Sequence, residues 1–438
     1  MNVELAYGSG KLNIDLPSNT SIVEPTFIPK IKDVNAAISY ALTNPLNSLP
    51  LKDIAQPQHK IAISICDITR PMPTKIVLPI MLKEIEHVPK SQIFILVATG
   101  THRSNTKEEL IEILGEDIYN SYQIICHDAF DQKSLKKIGT TSNNIDIFLN
   151  SIWVEADIRI TTGFVEPHFF AGFSGGPKMV APGLAGFQTI MKLHSAEFIS
   201  NPYSKWGILD KNPIHQSIKE IAQKSKVDFS LDVTINKNQE ITNVYAGNLF
   251  TMHKKACVDV KTSAMQKVKN LFDVVITSNS GYPLDQNLYQ TVKGMSAAAQ
   301  IIRENGIIIC AAECKDGIPD HGEYGHILRS ETSPKKLLEK IMSNKNTTHD
   351  QWQVQIQAQI QTKAQVLLKS SGLSTKQIEA AHLRPISNIT SYVRNLIEQK
   401  DNLKICVLPQ GPMPIPYLYT HIIIKIVLGY FYSSTGFF

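Results

Sequence analysis

Little in this sequence points to an exported, membrane-spanning or nucleic-acid-binding protein. Only six cysteines occur in 438 residues, and no two form a CxxC pair. That spacing argues against a disulfide framework. Cys66, Cys310 and Cys406 fall within or at the end of apolar runs and read as buried, reduced thiols. No block of five or six basic residues occurs; Lys335-Lys336 with Lys340 has the pattern of a wetted helix face. The net charge of +5, with histidines neutral, is a mild excess over this length. It suits a small anionic substrate and gives no ground for expecting a nucleic acid. No apolar run reaches the about 20 residues that span a bilayer. In the tail at 419–438 the apolar part, Ile422 to Tyr432, is interrupted by Lys425. That tail is open to three readings: a strand, an interface segment or a frameshifted end. Met1 to Asp15 carries no basic-then-apolar leader pattern. A cytoplasmic protein with no membrane partner is expected. Tandem repeats are absent, as is a GxGxxG after an early strand, which disfavours a classical NAD dehydrogenase.

What is present is the composition of a folded chain, 43% hydrophobic and 19% charged. The length exceeds one small core, so two domains are expected. Seven short runs rich in Ile and Val read as strands: Lys60–Cys66, Gln92–Val97, Gln123–Cys126, Asp157–Thr162, Asp273–Ser278, Gly306–Ala312 and Lys404–Leu408. They are apolar nearly throughout, the mark of strands covered on both faces of a parallel sheet. Helical patterns alternate with them: Thr74–His87; Lys107–Leu114 behind a Thr106/Glu109 capping box and before Gly115; Asp285–Asn305; and a Gln-rich stretch, Gln351–Gln361, read as the exposed face of a helix running to about Lys369. A long basic and polar helix, Thr251–Lys269, separates two sets of strands. The expectation is an α/β fold of two Rossmann-like domains with mostly parallel sheets, 1–270 and 271–418, followed by the apolar tail, with the active site in the cleft between the domains.

Four predicted strand ends run into polar sequence: Asp67-Ile68-Thr69-Arg70-Pro71, Ala98-Thr99-Gly100-Thr101-His102-Arg103, Gly163-Phe164-Val165-Glu166-Pro167-His168 and Asn279-Ser280-Gly281-Tyr282-Pro283. Ligands in open α/β sheets bind beyond the carboxyl ends of strands, so an active site belongs there. Downstream, FFAGFSGGPKMVAPGLAG holds Gly172, Gly175 and Gly176, whose backbone N–H groups could hold an anion. It is no P-loop, because Lys178 follows Gly-Gly-Pro and precedes Met179. Of thirteen histidines, His59, His87, His215, His253, His382 and His421 have no companions and read as ordinary. His321 and His326 flank a loop that could border the site. His102, His168 and His194 stand in glycine or strand-end contexts. Imidazole both binds nickel or zinc and moves protons near neutrality, and spacing alone leaves the division of these three between bases and ligand open. Asp285, Tyr289 and Lys293, at i, i+4 and i+8, are expected on one helix face.

The stretches DITRPMP (67–73), ILVATGTHR (95–103), EPHFFAGFSGG (166–176) with Lys178 and Pro182-Gly183, His194, GYPLDQNLYQTVKGM (281–295) and Asp350-Gln351-Trp352 occur in one order over roughly residues 5 to 416. In these the chain resembles the nickel-pincer lactate racemases, a group of 2-hydroxy-acid racemases and epimerases. The resemblance implies a cofactor, pyridinium-3,5-bisthiocarboxylic acid mononucleotide, that grips nickel and is joined to Lys178. It implies His194 as the nickel ligand and His102 and His168 as the catalytic pair beside the substrate. Asp67, Arg70, Gly172, Tyr289 and Lys293 match positions around the cofactor; Arg70, Gln290, Lys293 and Trp352 match positions around the substrate. Pro177 and Thr101 stand where some members carry arginine and an aromatic residue.

The chemistry agrees with this resemblance. The Cα proton of a 2-hydroxy acid is weakly acidic, so a route through the keto acid is easier: a histidine takes the hydroxyl proton while a cofactor takes hydride and later returns it. The expected function is interconversion of D- and L-lactate. The alternatives are another 2-hydroxy acid (malate, 2-hydroxyglutarate or an aldonic acid) with the same cofactor, or a non-catalytic nickel or nucleotide binder. Transient partners would be the proteins that make and load the cofactor.

Overall fold

A computed structural model describes residues 1–319, 322–400 and 402–419. His321 and most of the apolar tail lie outside the described residues.

The first sheet contains six strands: β1 (Ile61–Cys66), β2 (Ile93–Ala98), β3 (Gln123–Cys126), β4 (Ile158–Phe164), β5 (Phe229–Ile235) and β6 (Ile241–Gly247). Their order is β3-β2-β1-β4-β5-β6, parallel except for the edge strand β6. Each run is apolar on both faces because helices cover both: every residue of β1 is buried. In the register, Ile63 pairs with Ile95 on one side and Ile160 on the other. This is the doubly wound order 3-2-1-4-5-6, whose direction of winding reverses between β1 and β4.

The second sheet holds β7 (Phe272–Ser278), β8 (Ile302–Ala311), β9 (Gln365–Lys369), β10 (Arg384–Pro385) and β11 (Ile405–Leu408), in the order β10-β9-β8-β7-β11, all parallel. Its outer edge is completed by Ser21–Ile22 from the N-terminus, pairing with Cys406 and Val407. The hairpin Asn2–Tyr7/Gly10–Asp15 also packs there, its Val3, Leu5 and Ile14 sharing a core with Ile276 and Val407. Residues 1–22 therefore lie with the second sheet, which corrects the expected grouping of 1–270 as one domain: pairing and a shared core, not sequence order, decide where this segment packs. The described part of the chain includes no helix long and apolar enough to cross a membrane.

Five helices bear on the site: α1 (Thr74–Glu84), α2 (Lys107–Leu114), α3 (Leu249–Ala264), α4 (Leu288–Ala299) and α5 (Gln351–Lys363). Around α2 the Thr106/Glu109 capping box forms, and Gly115, at φ 84°, ends the helix. Three expectations need correction. Asp285–Asn305 is not one helix: the Asn287 side chain accepts from the Gln290 N–H and starts α4 there, and Ile302 already belongs to β8. Asp285 thus precedes the helix. It is buried, and its carboxylate accepts from the N–H groups of Gly8 (2.7 Å) and Glu313 (3.0 Å), tying the N-terminal hairpin to the second domain. The basic helix stops at Ala264, and Met265–Val268 continues as a strand beside Ile415–Leu418.

The third correction concerns the glutamines. The helix ends at Lys363, and Gln365–Lys369 is a strand; Gln351, Gln353, Gln355 and Gln357 are buried, not exposed. Buried amides must find partners, and these do: Gln353 donates to the Tyr289 carbonyl, Gln355 to the Ala196 carbonyl at 2.8 Å, and Gln357 to the Ala381 carbonyl at 3.0 Å. The Ala196 bond reaches from the second domain into the first. Five of the six cysteines are buried, and all six are free.

Candidate active site

The reversal between β1 and β4 opens a crevice beyond their carboxyl ends. Three of the four polar loops picked out from sequence follow adjacent strands there: Asp67 and Arg70 after β1, His102 after β2, Glu166 and His168 after β4. The fourth follows β7 and leads into α4, whose Tyr289 and Lys293 face the same space from the second domain.

Asp67 is buried at the end of β1. Its carboxylate accepts from Thr69 Oγ1 at 2.9 and 3.0 Å and from His102 Nδ1 at 2.8 Å. Burial alone would raise the Asp67 carboxyl, but the bond and charge of His102, with Arg70, outweigh it and hold it below the usual aspartate range. His102 is positioned by a turn in which its N–H donates to the Thr99 carbonyl at 3.0 Å and Gly100 takes φ 57°. Its ring is part exposed, open to a ligand on the side away from Asp67.

His168 sits in a tight two-strand turn, Pro167–His168 against Gly172–Phe173. Its Nδ1 accepts from the N–H groups of Ala171 (3.2 Å) and Phe170 (3.4 Å). Burial, then the positive charges of Lys178, Lys293 and Arg70, push its pKa well below the usual histidine value. Phe170 stands edge-on between His168 (4.5 Å) and His194 (5.3 Å). His194 caps the helix Phe187–Leu193 and donates Nδ1–H to the Ile190 carbonyl at 2.8 Å, which leaves Nε2 as its free ligand atom. Burial lowers its pKa to about 4, so the ring is neutral at pH 7.

Lys178 lies on a short 3-10 turn, Gly176–Met179. Gly175 (φ 70°) and Gly176 (φ 50°) make the bend before it. No side chain fits there: a Cβ on Gly176 would fall 2.5 Å from the His253 ring, and one on Gly175 2.8 Å from Asp232 Oδ2. From beneath, Asp232 accepts the Gly176 N–H at 2.7 Å and His253 donates Nε2–H to the Ser174 carbonyl at 2.9 Å. Burial, reinforced by Arg70, lowers the Lys178 amine to about 7. Lys293 is lowered to about 8 by burial and Arg70. Glu166 faces all three cations; burial raises its carboxyl while Lys293, Arg70 and Lys178 draw it down, and the net is upward. The basic groups Arg70, Lys178 and Lys293 thus outnumber the two carboxylates of the cleft, Asp67 and Glu166.

Not every predicted residue falls where expected. Trp352, expected over the substrate, packs its ring 4.6 Å from His194 and 5.5 Å from His349 and is buried. At Gly172 the absent side chain's place is taken by the Ile208 carbonyl, 2.2 Å from where a Cβ would lie, so packing accounts for that glycine. The Gln290 backbone N–H is used in capping α4. Tyr289 is held by Trp352 and Asp350, its phenol raised by burial and by Asp350, and stacks edge-on to Tyr324 at 5.2 Å. Sequence reasoning gave no role to Glu166, His349, Asp232 or His253. Glu166 had a signal, two residues before His168. Asp232 and His253 had none, lying more than 50 residues from the loop they support.

A metal here would find little from the protein alone. No three His, Cys, Asp or Glu side chains among the described residues cluster as a metal cage. A neutral His194 with one free nitrogen, beside a lysine whose amine is lowered to about 7, suits a metal that arrives already ligated and is anchored through an amine. The residues present therefore fit a tethered nickel nucleotide.

Comparison with known proteins agrees in extent with this layout. Residues 7–207 match the model of the lactate racemase N-terminal domain, and 267–415 that of the lactate racemase C-terminal domain. The lactate racemase of Thermoanaerobacterium thermosaccharolyticum is 37% identical over 421 residues, covering 94% of this chain and 98% of that protein. That of Lactiplantibacillus plantarum is 38% identical over 378 residues, covering 85% and 89%. The structure of the Thermoanaerobacterium thermosaccharolyticum apoprotein superposes with a TM-score of 0.88 at 35% identity, covering 95% of this chain and all of that one. A Thermotoga maritima protein, 20% identical with a TM-score of 0.67 over 88% of this chain and 98% of its own, shares the fold.

Proposed function

The chain belongs to the lactate racemase family, and from that premise we propose that this isomerase interconverts D- and L-lactate, or a near 2-hydroxy acid, through the keto acid. The observation that carries this reading is the convergence on one cleft of the Asp67–His102 pair, His168 and the amines of Lys178 and Lys293.

A 2-hydroxy acid brings one carboxylate and one hydroxyl. Arg70 and Lys293 supply the positive charge that holds the carboxylate, Arg70 with two parallel N–H bonds. The hydroxyl then lies against the imidazoles. His102 has its Nδ1–H committed to Asp67, so its Nε2 is free to take the hydroxyl proton, and the carboxylate of Asp67 balances the charge that results. Lys178 would anchor the nickel nucleotide and His194 would bind its nickel. When bound, that cofactor supplies a hydride acceptor, which no side chain offers. Tyr289, Trp352 and Phe170 wall the cleft and keep water from it. We place the protein in the cytoplasm, supplied with cofactor by separate biosynthetic proteins.

The test is a chiral assay on the loaded enzyme with lactate deuterated at C2. Interconversion with the label retained supports the reading. Loss of the label to solvent protium at C2 would replace it with direct proton abstraction. Racemisation of malate, 2-hydroxyglutarate or an aldonic acid in preference to lactate would revise the substrate.

A further inference from the structure

The turn that carries Lys178 is held by side chains that the chemistry of the cleft does not use. Before the lysine, Asp232 on β5 accepts the Gly176 N–H at 2.7 Å, and His253 on α3 donates Nε2–H to the Ser174 carbonyl at 2.9 Å. After it, Ser64 Oγ on β1 donates to the Met179 carbonyl at 2.8 Å, and the Lys178 carbonyl accepts the Gly183 N–H at 3.1 Å. Asp232 and Ser64 are fully buried, and His253 is 4% exposed. Asp232 Oδ1 has no hydrogen-bond partner among the described residues. A carboxyl is costly to bury so, and apolar packing would serve the core alone at less cost. The turn itself is soft. Gly175 and Gly176, at φ 70° and 50°, bring no side chain to fix it.

We propose that Asp232 and His253 are positioning residues for the anchoring lysine: they hold the glycine turn so that the Lys178 amine lies inside the cleft and not in water. This rests on the reading of Lys178 as the cofactor anchor. An amine already set against its reaction partner needs no further ordering when the partner arrives. The amine also reports its own place. Burial is the first cause of its lowering to about 7; Arg70 and Lys293 add to it and Glu166 opposes. If the turn relaxes, the amine reaches water and keeps its proton toward the ordinary 10.5. Asp232 acts through the Gly176 amide. Burial raises its carboxyl to about 7, and the protonated and ionised forms both accept an N–H.

The test is the pH profile of Lys178 acylation in the full chain before loading, read by peptide mass after a neutral amine-reactive ester. The amine nitrogen forms the new N–C bond, the ester's alkoxide leaves with its electron pair, and the proton lost from nitrogen goes to solvent. Wild type should show a midpoint near 7. Asp232→Asn keeps an oxygen for the Gly176 N–H and should keep that midpoint. Asp232→Ala and His253→Phe each remove one support. Their midpoints should rise above about 8.5, so that labelling at pH 7.5 falls roughly eightfold or more. Ser296→Ala removes the acceptor of the Trp206 indole N–H, far from this turn in the chain, and should keep the wild-type midpoint. That control separates positioning from general loss of stability. If Asp232→Ala does not fold, His253→Phe decides. A wild-type profile in His253→Phe, an Asp232→Asn midpoint above 8.5, or an equal rise in Ser296→Ala would overturn the proposal. Loaded wild type without an adduct on Lys178 would sink the anchoring reading, whereas the profile still decides what holds the amine.

Discussion

The ring of Trp352 lies 4.6 Å from the imidazole of His194, one on the Gln-rich helix of the second domain and the other at the helix end that follows the Lys178 loop. The candidate nickel ligand is therefore shielded by a residue that arrives from the opposite domain. Replacing Trp352 by alanine removes a buried side chain and should cost about 3–5 kcal/mol of stability. It should also let a chelator strip nickel faster from loaded protein. An unchanged rate of nickel loss would show that Trp352 does not guard His194.

His194→Ala should separate metal from tether. The nucleotide adduct, attached at Lys178, is expected to persist by intact mass, while nickel measured in the same sample falls to background. Loss of both together would assign His194 to cofactor capture instead.

Asp67→Asn should cut turnover by about 10²–10⁴-fold, because an amide can neither fix the His102 tautomer nor balance its charge. The Asp67 pKa is lower in the folded chain than in the unfolded one, so the pair stabilises fully above the ordinary value of 3.8 and loses that contribution as pH falls through the folded value. Acid unfolding of Asp67→Asn should accordingly be flatter below about pH 4 than that of wild type. Identical acid limbs would mean that Asp67 contributes nothing through its charge.

With its amine lowered to about 7, Lys178 is a neutral nucleophile where surface lysines are still protonated. A limiting dose of an acylating reagent at pH 7.5 should mark the Lys178 peptide of the cofactor-free chain ahead of other lysines, with a rate that levels off above about pH 8. The unfolded chain keeps this proton up to about 10.5, so stability gains from Lys178 as pH rises between the two values. A labelling rate that still climbs steeply at pH 9 would refute the lowered value.

Trp206 of the first domain donates its Nε1–H to Ser296 Oγ on α4 at 3.0 Å, with both residues buried. Ser296→Ala leaves that N–H without a partner and should cost about 1–3 kcal/mol, read as a lower melting temperature. A melting temperature equal to that of wild type would mean that water replaces the serine.

Much of the architecture was legible in the residues because of one physical rule. Strands covered on both faces read as continuous apolar runs, so Ile61–Cys66, Ile93–Ala98 and Phe272–Ser278 stand out, and the polar residues at their ends mark where the apolar cover stops. The same rule misled at Gln351–Gln357. Glutamine at helical spacing looks like a wetted face, yet these amides are buried because carbonyls of Tyr289, Ala196 and Ala381 come to meet them. Asp285 misled similarly, its partners being Gly8 and Glu313.

By itself the sequence determined the alternation of strand and helix, the loops that carry Asp67, His102 and His168, and the glycines that bend the chain before Lys178. These depend on side-chain polarity and backbone freedom over a few residues. Only the tertiary structure decided which of those loops are neighbours, that the N-terminal hairpin joins the far sheet, and which nitrogen of each imidazole holds the proton. Those depend on partners distant in the chain or on backbone N–H groups, whose direction no residue type encodes.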